Sequence, residues 1–99
     1  MSSILFIMLK SPYEYSSLDH LAAIGGDEKT GVILFEDAVY FAVDKNKGQE
    51  LLDVADKVYV MRDDFAARGL ASISSKFLLI DYSTAVDLIM EQYDQTITV

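Results

Sequence analysis

The fold class of this 99-residue chain is decided by residues 4–9, Ile-Leu-Phe-Ile-Met-Leu. These apolar residues follow one another without the polar alternation of a half-exposed strand, which is the pattern of a central strand covered on both faces. Similar runs predict three further strands, Gly31 to Phe35, Lys57 to Met61 and Lys76 to Ile80. The last segment, Thr96 to Val99, alternates apolar and polar residues, and it either adds an edge strand or frays.

Segments of helical length separate these strands. The first helix is predicted from Leu18 to Gly25, with Ser16 or Ser17 capping its start and Gly25 or Gly26 ending it. Further helices are predicted over 37–43, 49–55, 63–69 and 83–93, and a loop over 45–48. The residues of 37–43 also suit a strand. In the last helix the predicted buried stripe is Val86, Ile89, Met90 and Tyr93.

Strands that alternate with helices predict a mainly parallel sheet with helices on both faces, a single three-layer α/β sandwich spanning residues 1–99. In such sheets the functional edge lies beyond the carboxyl ends of the strands. The segments expected there are 10–17, 36–37, 62–64 and 81–83.

Composition and charge narrow the possible partners. Hydrophobic residues make up 52% of the chain, against about 45–50% in an average globular protein, so some apolar surface is expected to meet a partner. The net charge of −8 opposes direct binding to nucleic acid, where affinity comes from releasing condensed cations. The apolar run at 3–9 is too short for a membrane span and lacks the basic start of a signal peptide. We therefore expect a soluble, cytoplasmic protein with no membrane partner.

Several kinds of chemistry are excluded because the chain has no Cys. Cysteine nucleophiles, persulfide carriage and Cys-ligated zinc all require a thiolate. The one histidine, His20, is expected on a solvated helix face, and we predict no metal site and no cofactor.

Two acidic pairs, Glu36 with Asp37 and Asp63 with Asp64, fall where predicted strands lead into helices. Such carboxylates accept hydrogen bonds from first-turn amides and interact well with the helix dipole. The alternative is general acid and base catalysis, for which one carboxyl of a pair needs a raised pKa. Arg68 is placed to hold a carboxylate such as that of Asp64, four residues earlier.

The stretch Val-Tyr-Val-Met-Arg-Asp-Asp-Phe-Ala-Ala-Arg-Gly-Leu at residues 58–70 resembles the DsrH/TusB family. The resemblance includes Ser11-Pro12, Phe-Glu-Asp-Ala-Val at 35–39 and Ile-Asp-Tyr-Ser at 80–83, in the same order along most of the chain. It implies a DsrE-like, flavodoxin-like α/β fold. It also implies assembly with subunits of the DsrE/TusD and DsrF/TusC types into a heterohexamer with two copies of each chain.

Complexes of this kind resemble sulfur relays, which pass persulfide sulfur toward 2-thiouridine at the tRNA wobble position or serve sulfur metabolism. The resemblance places the sulfur-carrying Cys on the DsrE/TusD partner, near the start of the helix after its third strand. This chain has carboxylates in the comparable stretch, 62–65, which implies a non-catalytic, structural or regulatory subunit. The candidate residues for its family-specific surface are Asp63, Asp64, Arg68, Asp81 and Tyr82.

Two other functions stay open on sequence grounds. One is a free-standing homo-oligomer that binds a small ligand at the strand ends or has a regulatory role. The other is an enzyme that uses the paired carboxylates.

Overall fold

Five parallel strands form one sheet in the computed structural model, which describes residues 2–15 and 17–99. The strands are β1 Ser3–Met8, β2 Lys29–Leu34, β3 Lys57–Met61, β4 Phe77–Ile80 and β5 Gln95–Thr98. Their order across the sheet is β4-β3-β2-β1-β5, and each neighbouring pair is parallel. The α/β fold class predicted from the sequence is confirmed.

The apolar run at the start of the chain lies inside the sheet. In β1, Ile4, Leu5, Phe6 and Met8 are each at most 3% exposed, which confirms a strand covered on both faces. The C-terminal segment is an edge strand, because β5 pairs with β1 from Ile4 opposite Gln95 to Ile7 opposite Thr98.

The helices connect the strands and cover both faces of the sheet. They are α1 Asp19–Gly25, α2 Lys45–Val54, α3 Arg62–Ala67 and α4 Tyr82–Asp87, with 3-10 segments at Pro12–Glu14 and Glu36–Ala42 and a π-helical turn at Leu88–Gln92. Segment 37–43 is thus helical, in the tighter 3-10 form. Gly26, at φ +54°, ends α1, and the Ser17 hydroxyl accepts a hydrogen bond from the Asp19 amide at 3.0 Å. The cap position of α1 is Leu18, one residue after the predicted cap Ser17, and Leu18 has no capping side-chain hydrogen bond. The alternative predicted cap, Ser16, lies outside the described residues.

The predicted loop over 45–48 is wrong, because these residues form the first turn of α2. The Asp44 carboxylate caps that turn by accepting the amides of Asn46 at 3.1 Å and Lys47 at 2.9 Å. Position 48 in α2 is a glycine because the helix passes very close to the preceding segment. A Cβ at this position would lie 2.5 Å from the carbonyl oxygen of Phe41.

The two faces of the sheet are covered unequally. The larger core joins one face, including Phe6, Val32 and Val60, to α1, α2, α3 and the Glu36–Ala42 segment. On the other face, Leu5, Ile33, Tyr59 and Met61 pack with Ala85 and Leu88. Because α4 and its π-helical turn lead from edge strand β4 to the opposite edge strand β5, this one segment crosses the whole face.

Candidate functional site

The carboxyl ends of β2, β3 and β4 meet at one edge of the sheet, which we call the carboxyl edge. The register pairs Leu34 with Val60 and Met61 with Ile80. The residues that follow these strands are therefore neighbours in space. The five surface candidates predicted from the sequence belong to the two helices that begin here. Asp63 and Asp64 lie in the first turn of α3, and Arg68 directly follows that helix. Asp81 is the cap of α4, and Tyr82 is its first residue.

Asp64 and Arg68 fix the turn after β2 against α3. The Asp64 carboxylate accepts a hydrogen bond from the Glu36 amide at 2.8 Å. The Arg68 guanidinium donates through Nε to one carboxylate oxygen of Asp37 at 3.0 Å, and its Nη2 lies 3.0 Å from the same oxygen in an ion pair. Its Nη1 donates to the Asp64 carbonyl at 3.1 Å. The Arg68 side chain thus contacts the backbone carbonyl of Asp64, and the carboxylate that pairs with Arg68 is that of Asp37.

This geometry gives one carboxylate of each acidic pair, Asp37 and Asp64, a structural use that differs from the predicted one. Neither α3 nor the Glu36–Ala42 segment has a hydrogen bond from its own capping side chain. Asp64 instead satisfies the first amide of the neighbouring 3-10 segment, so the cap comes from a different element.

The Glu36 backbone explains why the turn needs this support. Its φ is +50°, the left-handed region that side chains other than glycine rarely adopt. Such a conformation costs on the order of 1–3 kcal/mol and persists only where surrounding contacts hold it. The Asp64 carboxylate, bound directly to the Glu36 amide, is such a contact.

Asp81 holds the start of α4. Its carboxylate accepts the Thr84 amide at 2.8 Å. This hydrogen bond and the nearby Arg62 charge lower the pKa of Asp81 below its usual value. Asp81 is therefore a cap in the sense that the sequence predicts for junction carboxylates.

Asp63 and Tyr82 point to solvent. Asp63 is exposed, and the Tyr82 side chain is 69% exposed at the start of α4. Asp64 and Arg68 are half-buried. The carboxyl edge thus combines a fixed inner pair, Asp64 with Arg68, with side chains that a partner could reach.

The predicted buried stripe of the last helix is partly wrong. Val86 is 41% exposed and Met90 is 74% exposed, whereas Ala85 and Leu88 are buried against the sheet. The apolar residues of this helix form two stripes, and only tertiary packing decides which one is buried.

Sequence reasoning missed Asp44 as a structural residue. Besides capping α2, its carboxylate accepts a hydrogen bond from the Tyr13 hydroxyl at 2.8 Å. The hydrogen bond from the Lys47 amide lowers the pKa of Asp44 most, and the hydrogen bond from the Tyr13 hydroxyl lowers it further. An Asp directly before a helix is a recognised start signal, so the sequence contained the signal for α2.

A cavity of about 330 Å³ lies at the opposite edge of the sheet, where the strands begin. Lys29, Lys57, Tyr59 and Tyr93 contribute to its wall. Burial, and after it the hydrogen bond with Tyr59, raise the pKa of Tyr93 above its usual value. Gly31 lies directly beneath this hydroxyl, and a Cβ there would collide with it.

His20 and the acidic side chains of the described residues are not arranged as a metal site. His20 is exposed and stacks on Tyr15, with ring centroids 6.2 Å apart, which confirms the solvated position predicted for it. Across residues 2–15 and 17–99, the structure has no group of three His, Asp or Glu side chains arranged to share a metal ion. The same residues include no helix with the length and apolar character of a membrane span.

Comparison with known proteins identifies relatives along most of the chain. The family model described as DsrH like protein matches residues 10–95. The chain is 40% identical over 74 residues to Protein TusB of Escherichia coli strain Crooks, which covers 73% of this chain and 75% of that protein. It is 42% identical over 72 residues to Protein TusB of Escherichia coli K12, which covers 71% and 73% of the two chains.

A solved structure shares the fold. The crystal structure of the ychN protein from E. coli superposes with a TM-score of 0.79 over 100% of both chains, at 18% sequence identity. At this identity the similarity is one of fold.

Proposed function

Since the chain belongs to the DsrH family, we propose that it acts as a non-catalytic subunit of a sulfur-relay complex in the cytoplasm. In this role it supports the transfer of persulfide sulfur toward 2-thiolation of the tRNA wobble uridine. The observation that carries the proposal is the combination of a family match over residues 10–95 with the absence of Cys from the chain. The relatives named TusB favour the tRNA pathway over sulfur oxidation.

A structural role follows from the chemistry of sulfur transfer. A persulfide forms on a thiolate, and neither a carboxylate nor a hydroxyl can replace that nucleophile. In the first turn of α3, the Asp64 carboxylate is engaged with the Glu36 amide. The Arg68 guanidinium is engaged with Asp37. These contacts support a rigid surface at the carboxyl edge rather than a reacting group.

The proposed partners are chains of the DsrE/TusD and DsrF/TusC types, in a heterohexamer with two copies of each subunit. The exposed candidates Asp63, Asp81 and Tyr82 belong to the surface that meets them, and Asp64 with Arg68 keeps that surface in shape. With a net charge of −8, the chain leaves tRNA contact to other components.

Co-expression tests this proposal. The chain is produced together with the DsrE-like and DsrF-like chains of the same organism, and the purified product is analysed by native mass spectrometry. The expected species contains two copies of each chain, and removing this chain's gene is expected to lower 2-thiouridine in cellular tRNA. A chain that forms a stable homodimer or homotrimer and ignores both relatives at micromolar concentration would contradict the proposal and favour the free-standing ligand-binding protein.

A further inference from the structure

The outward side of α4 presents an apolar row that the fold does not use. Tyr82, Val86 and Met90 recur every four residues and are 69%, 41% and 74% exposed. We call these three residues the outer stripe. The sheet takes the other side of the same segment, through Ala85 and Leu88. Scattered apolar side chains are ordinary on a protein surface, but a contiguous row that includes Tyr and Met has the composition of an interface core.

Edge strand β4, which leads directly into α4, also carries an exposed apolar side chain on the α4 face of the sheet. Leu78 of β4 is 43% exposed and lies on the same face of the strand as Ile80, which packs in the core with Ala85 and Leu88. β4 is the terminal strand in the sheet order, so within the described residues its outer side pairs with no other strand. A stable interface buries about 800 Å² on each partner. The outer stripe and Leu78 are the exposed apolar side chains of α4 and β4 that can contribute to such an area.

Charge selects the kind of partner. The segment from Asp81 to Asp94 contains four carboxylates, those of Asp81, Asp87, Glu91 and Asp94, and no Lys, Arg or His. Asp87 and Glu91 are exposed beside Val86 and Met90, so two copies of this chain packed stripe to stripe would bring these two carboxylates of each copy together, and each copy carries a net charge of −8. Like charges placed across an interface oppose association, whereas opposite charges steer it.

We propose that the outer stripe is a docking site for a different protein chain whose facing surface is apolar and rimmed by Lys and Arg. The inference rests on the proposed function in one respect, since it takes that chain to be the DsrE-like or the DsrF-like subunit. Tyr82 and Met90 supply the apolar core of the contact, and Asp87 and Glu91 pair with the basic rim.

Two variants test the apolar part of this contact. Val86→Glu combined with Met90→Glu places two charges in the outer stripe, and because both side chains are exposed, the thermal midpoint is expected to stay unchanged. The matched control is Ile24→Glu, a residue of α1 that is 45% exposed and lies away from α4. Binding to the co-purified DsrE-like and DsrF-like subunits is measured by biolayer interferometry. The double variant is expected to bind at least about 30-fold more weakly than the wild type, as for loss of an interface hot spot, and the control is expected to bind like the wild type.

A third variant tests the charge. Asp87→Lys combined with Glu91→Lys is expected to slow association with the same subunits. The association rate of the wild-type chain is expected to fall as salt is raised from low concentration. A rate that is independent of salt, or that rises with the charge reversal, would overturn the basic rim.

The remaining outcomes separate this inference from the proposed function. If wild type and the Val86→Glu, Met90→Glu variant bind the subunits equally, the docking site is overturned and the proposed function stands. If the wild type binds neither subunit, both are overturned. If the isolated wild type self-associates and the double variant is monomeric, the occupant is a second copy of the chain and the inference is wrong.

Discussion

Replacing Asp64 by Ala tests whether the acidic pair at the carboxyl edge is structural. The substitution removes the carboxylate that accepts the Glu36 amide at 2.8 Å and leaves the left-handed turn at φ +50° without that support. A helix cap replaced by Ala costs about 0.5–2 kcal/mol, and a hydrogen bond to a charged acceptor contributes about 1.5–3 kcal/mol. Because this contact is at the surface, we expect the free energy of unfolding to fall by about 1–2 kcal/mol.

The neighbouring carboxylate provides the control. Asp63 is exposed and lies in the same first turn of α3. Asp63→Ala removes an equal charge from the same helix end, so we expect a change within about 0.5 kcal/mol.

Urea unfolding of the two variants, followed by circular dichroism with a common m-value, measures the difference. For a chain of this size a loss of 1–2 kcal/mol corresponds to a thermal midpoint lower by about 4–16 °C. Equal effects of Asp64→Ala and Asp63→Ala would refute the reasoning, since both carboxylates would then act only through the helix dipole. Asp64→Asn retains an acceptor oxygen, so a variant no more stable than Asp64→Ala would also refute the reasoning.

Three further outcomes follow from the packing and the pKa shifts. Glu36→Gly removes the left-handed strain and is expected to raise the free energy of unfolding by about 1 kcal/mol, and a loss of stability in urea unfolding would contradict this. Gly48→Ala gains about 1 kcal/mol of helix propensity but places a Cβ 2.5 Å from the Phe41 carbonyl oxygen. Because overpacking costs about 1–3 kcal/mol, we expect a net loss of stability. A higher thermal midpoint would contradict this and show that the backbone moves to accommodate the Cβ. The pKa values of Asp44 and Asp81 are lowered in the folded chain, so both carboxylates stabilise the fold at pH values above the unfolded pKa of about 3.9. This stability is lost as pH falls through the lower folded pKa values. The double variant Asp44→Asn, Asp81→Asn should therefore flatten the decline in stability below about pH 4, and an unchanged acid profile would contradict the assignment.

The sequence predicts most of this fold because its strongest signals are local. An unbroken apolar run such as residues 4–9 can be satisfied only by burial on both faces, and β1 is buried on both faces. A glycine after an apolar helix pattern ends the helix, as Gly26 does with φ +54°. The alternating segment at the C-terminus left its pairing open, because the pairing depends on a tertiary contact, the free hydrogen-bonding edge of β1 on the side away from β2.

The candidate site was harder to predict because its contacts join residues that are far apart in the sequence. Arg68 reaches Asp37, 31 residues away, whereas helical spacing points only to Asp64, four residues away. The left-handed Glu36 turn has no sequence signature, because glycine is the residue expected there. Similarly, periodicity cannot choose between the two apolar stripes of α4, and the sheet selected the stripe that contains Ala85.

The transfer of labelled sulfur through the assembled complex tests the central claim most directly. The complex of this chain with its DsrE-like and DsrF-like partners is charged with radiolabelled persulfide sulfur, and each separated subunit is examined by intact-protein mass spectrometry. We predict a persulfide on the cysteine-containing partner, none on this chain, and slower transfer to the downstream acceptor when this chain is omitted. Sulfur bonded to this chain, or a transfer rate that is unchanged without it, would contradict the claim.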